Sequence, residues 1–347
     1  TWRMPMQSPD DALRNDASLS RTDATALGRS KRADTPRSAL GHFAPPQTGG
    51  EPRDVVAHLA EQNATREPDH VPLRMERMLA NPFAFYRGTA GLMALDLGRA
   101  PHSGILVAAC GDAHISNFGF FASPERKVVF DLNDFDEAAI APWDWDVKRL
   151  LASIVVGGIQ AEYSEREIRR AARHTLRAYR SGLSTMLERT PLERYYMHGN
   201  VEFARKSLSA EAQAVLQDTL KHATKRTAKR AIKRTTELGD DGVLRFVEQP
   251  PTMTHVEPGS FGPGASRAEL FAQYRETVPL DIDTVLAQYK PTDLARRVVG
   301  VGSVGTQCFL QLLQGADGAA LLLQVKEAGE SVLARYGGMV PRDRLDQ

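Results

Sequence analysis

The stretch CGDAHISNFGFFASPERKVVFDLNDFDEAAIAPWDWD, from Cys110 to Asp146, decides the fold of this chain. Two short apolar runs accompany it, GILVAA at Gly104–Ala109 and KVVF at Lys127–Phe130. Runs of this length, rich in aliphatic and β-branched residues and bounded by polar groups, are typical of β-strands. Carboxylates follow each run directly, so the pattern predicts two acidic loops at strand ends that face one cleft.

The spacing of the polar side chains within these loops points to phosphate chemistry. Asn117 follows Asp112 on one loop, and Asp131, Asp134 and Asp136 follow the second apolar run. This arrangement resembles the HRDxxxxN loop and the DFG segment of protein kinases. Phosphoryl transfer needs a group that accepts the proton of the incoming hydroxyl, and hard oxygen ligands that hold Mg²⁺. We therefore predict Asp112 as the catalytic base, and Asn117 and Asp134 as Mg²⁺ ligands.

A second informative stretch, RRVVGVGSVGTQCFLQLLQGADGAALLLQVKEA, runs from Arg296 to Ala328. It contains the pattern G-x-G-x-x-G between two apolar runs, and a further strand ends in Lys326. A dinucleotide-binding fingerprint would have an acid at the end of its second strand, where this chain has a lysine. A kinase glycine-rich loop is a hairpin that covers the phosphates, with a lysine on the third strand. The predicted ATP-binding residues are Gly300, Gly302, Ser303, Gly305 and Lys326. The alternative is a plain hairpin turn with a solvated lysine.

Larger parts of the chain resemble known kinase-like families. The series CGDAHISN, DFDEA and WDV is similar to the HGDxxxxN, IDFEDA and DLA series of aminoglycoside and choline kinases. The runs PFAFYRG, GDAHISNFG, FDLNDFDE and PWDWDVKRL are closer to a bacterial family known as domain of unknown function 2252, from about Thr35 to Ser331. These resemblances imply a kinase-like fold, in which Asp146 braces the catalytic loop. Cys110 stands where the kinases usually have a histidine.

The order of the motifs along the chain predicts a circular permutation. In ordinary kinases the glycine loop and its lysine precede the catalytic loop, whereas here they follow it. We expect an α+β, protein-kinase-like two-lobed fold with a mainly helical large lobe and a partial β-rich small lobe. Such a permutation is tolerated when the new ends fall in exposed connections. The predicted parts are a mostly disordered arm at 1–63, the large lobe at 64–290 and the partial small lobe at 291–347, which we expect to continue beyond Gln347.

Composition narrows the range of partners. With 44 Lys+Arg against 43 Asp+Glu, the net charge gives no argument for a nucleic-acid or membrane partner. No apolar run reaches the roughly 18 residues of a membrane-spanning helix. The two cysteines, Cys110 and Cys308, exclude a disulfide framework and are typical of a reducing cytoplasm, where we expect this protein. The sequence does not indicate an oligomeric state.

Together these observations predict an ATP- and Mg²⁺-dependent phosphotransferase. No activation segment is recognisable between Asp134 and Trp143, so the expected acceptor is a small molecule; AMP transfer by the same groups stays open. One alternative is a metal-dependent phosphohydrolase with His114 as a ligand, because GDAH also resembles the ligand sets of two-metal phosphoesterases. Another is a non-catalytic nucleotide-binding module. Arg87 is either a phosphate ligand or a buried partner of an acid such as Asp96.

Overall fold

The computed structural model describes residues 19–42, 47–48, 51–123, 127–197, 210–225, 228–256, 266–298, 300, 302 and 304–339. The chain divides into two compact units. Unit 1 comprises Thr1–Thr65, Leu73–Ala204 and Ala328–Gln347, and unit 2 comprises Arg66–Pro72 and Arg205–Glu327. Helices and small antiparallel sheets confirm the predicted α+β class. None of the described helices is long and apolar enough to span a bilayer.

The described elements are numbered in chain order. The helices are α1 (Arg21–Asp34), α2 (Arg37–Leu40), α3 (Val55–Ala64), α4 (Val71–Leu79), α5 (Pro82–Arg87), α6 (Ala90–Arg99), α7 (Trp143–Gln160), α8 (Glu165–Leu187), α9 (Pro191–Tyr195), α10 (Ala210–Lys225), α11 (Ala228–Thr235), α12 (Arg267–Thr277), α13 (Leu280–Leu286) and α14 (Val332–Arg335). The strands are β1 (Gln47–Thr48), β2 (Glu51–Pro52), β3 (Leu106–Ala109), β4 (Phe118–Ala122), β5 (Val128–Leu132), β6 (Ala139–Pro142), β7 (Thr236–Leu238), β8 (Leu244–Phe246), β9 (Met253–His255), β10 (Tyr289–Arg297), β11 (Cys308–Gly315) and β12 (Ala320–Lys326).

Part of the segment predicted as a mostly disordered arm, 1–63, is helical. Helix α1 has no fully buried side chain, and its two ends carry favourable groups. Ser20 caps the first turn by accepting a hydrogen bond from Asp23 N at 3.2 Å, and Lys31 and Arg32 stand in the last turn, where cations are favourable. Composition does not predict such a helix because it has no apolar stripe. Residues 1–18 of the predicted arm lie outside the described residues.

The stretch Cys110–Asp146 contributes strands to two small antiparallel sheets in unit 1. Strand β3 pairs with β6 and β4 pairs with β5, so the two predicted apolar strands belong to different two-stranded sheets. The pairing of Phe118 with Leu132 brings the start of β4 beside the end of β5. The core lies among β3, β6, α6, α7 and α14, and its buried side chains are Ala94, Ala109, Ala139, Ala141, Trp145, Val332 and Leu333.

Unit 2 is organised around a four-stranded antiparallel sheet with the order β12-β11-β10-β9. The segment Gly300–Gly305 lies between β10 and β11, and a 3₁₀ turn at Ala316–Gly318 joins β11 to β12. Both hairpins agree with the predicted order of strands and turns. Neighbouring residues of β11 point to opposite faces, so Leu312 packs in one buried cluster with Phe246, while Leu313 packs in another with Phe271.

The boundaries of the units differ from the predicted lobe boundary after residue 290. Strand β10 runs across that boundary, and the main part of unit 2 begins earlier, at Arg205. The described residues after Glu327 belong to unit 1 and not to a β-rich lobe. There, Ser331 Oγ donates to the carbonyl of Glu137 at 2.7 Å, and Val332 N donates to its carboxylate at 2.7 Å. This segment packs on unit 1 because the apolar side chain of Val332 is buried in the core of that unit.

Candidate functional site

The loop that follows β3 has a conformation that depends on Gly111 and Asp146. Gly111 has a φ of +83°, and a Cβ at this position would overlap the carbonyl oxygen of Glu137. The carboxylate of Asp146, on α7, accepts hydrogen bonds from Cys110 N at 2.7 Å and Gly111 N at 2.9 Å. Burial of this carboxyl group raises the pKa of Asp146. Asp146 thus braces the loop through its backbone, in the way that the kinase resemblance implies.

Asp112 is the first polar side chain of this loop, and a buried arginine holds it. Arg149 Nε donates to Asp112 Oδ1 at 2.8 Å, and the Asp112 side chain keeps 20% of its surface exposed. The other carboxylate oxygen, Oδ2, lies 3.8 Å from His114 Nε2, which is beyond hydrogen-bond distance. In the described part of the chain no donor binds Oδ2. One oxygen of Asp112 is therefore fixed and the other is available to a ligand.

Arg149 is itself held by Tyr86. Its side chain is 2% exposed, its Nη2 atom donates to Tyr86 O at 2.8 Å, and its guanidinium lies 3.9 Å from the centroid of the Tyr86 ring. The Tyr86 hydroxyl donates to Arg149 O at 2.7 Å. Burial, opposed by the nearby guanidinium, raises the pKa of Tyr86 to about 12, so the phenol stays protonated as a donor.

Asn117 ends the loop as a buried residue with a fixed amide. Its Nδ2 atom donates to Asp112 O at 2.7 Å, and its backbone carbonyl accepts from Asn133 N at 3.0 Å. No donor from the described residues binds Oδ1 of the amide. Asn117 directly precedes β4 and Asp134 lies two residues after the end of β5, so both residues lie just beyond the paired ends of these two strands.

Cys110 links the two loops, and it stands where the aminoglycoside and choline kinases that the sequence resembles usually have a histidine. Its thiol donates to Asp134 O at 3.2 Å. Burial and the negative charge of Asp146 raise the pKa of Cys110 to about 12, so the sulfur keeps the proton that this contact uses. The structure thus brings together the three predicted residues of unit 1, Asp112, Asn117 and Asp134. The two predicted strands lie in separate sheets, but the loops that follow them are in contact through Cys110 and Asp134.

The donor set of this cluster fits Mg²⁺. Among the described residues, no group of three or more His, Cys, Asp and Glu side chains could hold a metal ion. Mg²⁺ does not need such a group, because it keeps several waters and is usually held by one or two carboxylates together with substrate phosphates. Asn117 Oδ1 and the carboxylate of Asp134, which is partly buried, are hard oxygen donors of the kind that Mg²⁺ prefers.

Two basic residues near the loop had alternative interpretations. His114 is buried with its ring 6.3 Å from that of Phe83, and burial lowers its pKa, so the imidazole is neutral near pH 7. The proposed pairing of Arg87 with Asp96 is wrong, because Asp96 accepts instead from Arg53 Nη2 at 2.8 Å. The Nε atom of Arg87 is buried without a hydrogen-bond partner among the described residues.

The glycine pattern in unit 2 forms the connection between β10 and β11. Gly300 and Gly305 have φ values of +74° and +86°, which glycine adopts more readily than other residues. Glu67 N donates to Gly305 O at 2.9 Å, and Arg66 Nη1 donates to Val304 O at 2.6 Å. These two hydrogen bonds fix the backbone at the end of the connection. Gly302 lies in a turn, and Ser303 lies outside the described residues.

Lys326 stands at the same end of the sheet as the glycine connection. It is the last residue of β12 and pairs with Cys308, the first residue of β11. Because β11 starts where the connection ends, the register places the backbone of Lys326 close to that connection. The predicted site residues therefore form one cluster in unit 1 and a second group in unit 2.

The sequence analysis did not find Arg149 or Tyr86 as site residues. Arg149 contacts both Asp112 and Tyr86, and these contacts join α5, α7 and the loop after β3, which are separate in sequence. One local signal was present: Arg149 lies three residues after Asp146 and so projects from nearly the same side of α7. A charged residue on the inner side of a largely apolar helix needs a buried partner, and the nearest predicted acidic loop supplies it.

Comparison with known proteins places the chain in a family. The sequence model of an uncharacterized protein family conserved in bacteria (DUF2252) matches residues 66–344. The match covers most of the chain, and the chain belongs to this family. A search of curated proteins and a search of solved structures gave no match.

Proposed function

We propose that this chain is an ATP- and Mg²⁺-dependent phosphotransferase with a circularly permuted protein-kinase-like fold, and that its acceptor is a small molecule. The observation that supports this most is the cluster of Asp112, Asn117 and Asp134. A carboxylate with one available oxygen stands beside an amide and a carboxylate that suit Mg²⁺.

Asp112 would act as the general base. Its Oδ1 atom is occupied by Arg149, so Oδ2 would accept the proton of the acceptor hydroxyl. The acceptor oxygen would then bond to the γ-phosphorus of ATP. The bond from that phosphorus to the bridging oxygen would break, and ADP would leave with the electron pair. Arg149 would fix the orientation of the base and leave Oδ2 without a hydrogen-bond donor from the described residues.

Asn117 and Asp134 would hold the metal ion. The hydrogen bond from Asn117 Nδ2 to Asp112 O turns the amide so that Oδ1 is left for a cation. The contact between the Cys110 thiol and Asp134 O fixes the backbone next to the second ligand. When bound there, Mg²⁺ supplies charge neutralisation for the phosphates.

The order of elements in unit 2 supports the permuted kinase-like fold. Three antiparallel strands follow one another, with the glycine connection after the first and Lys326 at the end of the third. A kinase small lobe has the same order of glycine loop and lysine. We therefore keep Gly300, Gly302, Ser303, Gly305 and Lys326 as the proposed contacts of the nucleotide phosphates.

The test is release of ADP from Mg²⁺-ATP by the full chain, with water or added alcohols as acceptors. Asp112→Asn is expected to lower the rate by about 10²- to 10⁴-fold, the usual contribution of a general base. Binding of Mg²⁺-ATP should persist in this variant, because Asp112 is not a metal ligand. Asp131→Asn, an exposed carboxylate on the neighbouring hairpin, is the matched control and should keep the wild-type rate.

Two outcomes would change the proposal. A wild-type rate in Asp112→Asn would exclude Asp112 as the base. Release of pyrophosphate in place of ADP would assign transfer of AMP to the same cluster.

A further inference from the structure

A cavity of about 630 Å³ that is open to solvent lies next to the predicted catalytic loop, and all of its lining residues belong to unit 1. It is bounded by α5, α7, α8 and the turn at Ile115–Asn117. Ligand sites for small molecules typically have volumes of about 300–1,000 Å³ and apolar walls with a few polar groups. This cavity therefore has the size of a site for a small molecule.

The cavity is connected to the catalytic loop by a shared hydrogen bond. Ile115 and Ser116, which belong to the loop between Asp112 and Asn117, form part of its wall. Ile115 N donates to Ser153 Oγ at 2.9 Å, and Ser153 also lines the cavity. A molecule in this cavity would thus contact the same loop that carries the proposed base.

The walls of the cavity are mostly apolar. The apolar side chains that contribute are Phe83, Ile115, Ile154, Ile168, Ala161 and Ala171. Gly158 has a structural role, since a Cβ there would meet Ile168 Cγ1 at 2.7 Å. Because glycine has no Cβ, α7 and α8 can approach closely at this point. The cavity therefore suits the apolar body of a ligand.

The charged groups at the edge favour an anion. Glu167 and Arg170 both line the cavity. The carboxylate of Glu167 is occupied by the α8 cap, where it accepts from Ser164 N at 2.9 Å and from Ser164 Oγ at 2.6 Å. Among the described residues, no hydrogen bond or ion pair binds the guanidinium of Arg170. The acceptor oxygen of Glu167 is thus already engaged, whereas the N–H donors of Arg170 are available to the oxygens of an anion.

We infer that this cavity binds a small molecule with an apolar body and one anionic group, a carboxylate or a phosphate, with the anion against Arg170. The role of this molecule as the phosphate acceptor rests on the function proposed above. Binding itself does not, because every residue of the cavity lies in unit 1 and none is a proposed metal or nucleotide ligand.

The test uses the apolar fluorescent anion 1-anilinonaphthalene-8-sulfonate and the full chain, without ATP. Wild type should bind the dye, and Ala171→Phe, which places a ring in the cavity, should weaken this binding strongly. Ala178→Phe adds the same ring to an exposed part of α8 outside the cavity and should leave it unchanged. No binding by wild type, or equal binding by the two phenylalanine variants, would overturn the inference.

The charge of the ligand is tested by displacement of the dye. Octanoate and octyl phosphate should displace it at lower concentration than octanol, and the better of the two anions identifies the preferred group. Arg170→Gln should weaken displacement by the anions about three- to tenfold, in line with a partly exposed charged hydrogen bond. Arg166→Gln, on the same helix but outside the cavity, is the control.

If octanol displaces the dye as effectively as the anions do, the assignment of an anionic ligand is overturned. Because these measurements need no ATP, their failure is distinct from a failure of phosphate transfer.

Discussion

Arg149 Nε lies 2.8 Å from Asp112 Oδ1, and this ion pair ties the predicted catalytic loop to helix α7. Arg149 is almost fully buried, whereas the Asp112 side chain keeps 20% of its surface exposed. The pair therefore has two effects. It stabilises the loop, and it decides which oxygen of Asp112 can accept a proton.

Replacement of Arg149 by alanine should strongly destabilise the protein. The change leaves the Asp112 carboxylate without its cation and removes the contact with the Tyr86 ring. Loss of one partner of a buried ion pair costs about 3–5 kcal/mol, which urea unfolding should detect. The matched control is Arg169→Ala, because the Arg169–Glu165 pair is exposed and should contribute less than about 1 kcal/mol. Equal losses in both variants would contradict the assigned role of Arg149.

Gly111→Ala should also destabilise the protein, and for a backbone reason. The φ of +83° is strained for alanine, and its Cβ would overlap the carbonyl oxygen of Glu137. The expected loss in the free energy of unfolding is well above about 1 kcal/mol. Gly182→Ala, on α8, is the control: no heavy atom lies within 4 Å of the added Cβ. It should stabilise the helix by about 0.5–1 kcal/mol. A Gly111→Ala variant as stable as wild type would disprove the proposed constraint.

His58 should make the stability dependent on pH. Burial is the main cause that lowers its pKa, and Arg53 and Arg335 lower it further, while Glu61 opposes them. The unfolded chain therefore binds the proton more readily than the folded chain does. The contribution of neutral His58 is complete above pH of about 6.5, the ordinary histidine value, and is lost as the pH falls below it.

The measurement compares the free energy of unfolding at pH 8 and pH 5 for wild type and His58→Phe. The variant should lose less stability over this interval, because its ring cannot be protonated. A phenylalanine also preserves the ring packing against Tyr336, whose centroid lies 4.5 Å from that of His58. The same loss in both proteins would show that His58 does not cause the dependence.

Lys326→Gln should weaken the binding of Mg²⁺-ATP by more than about tenfold, if the lysine contacts phosphate through a charged hydrogen bond. Lys290→Gln is the matched control. Lys290 pairs with Gln314 near the opposite end of β11, so its charge lies far along the sheet from the glycine connection. Equal affinity in both variants would remove Lys326 from the proposed nucleotide site.

The sequence predicted the parts of the site that depend on local order. Asp112 and Asn117 share one short loop, and Asp134 follows the second apolar run, so the position of the acids after two strands indicated that the loops lie close together. The pairing of β4 with β5 was not predicted. Arg149 was not predicted because its contact depends on how α7 packs against α5. The docking of Val332 in the core of unit 1 was missed for a related reason, since a helix as short as α14 has no periodic pattern. The Ser303 prediction lies outside the described residues.

The central claim is that Asn117 and Asp134 hold Mg²⁺ for a nucleotide, and calorimetric titration of the full chain with ATP tests it most directly. Wild type should bind ATP with Mg²⁺ and much more weakly without it. Asp134→Ala should abolish the difference, while Asp131→Ala, which alters an exposed carboxylate of the same hairpin, should retain it. If ATP binds equally with and without Mg²⁺, or if Asp134→Ala responds to Mg²⁺ as wild type does, the cluster is not a metal–nucleotide site.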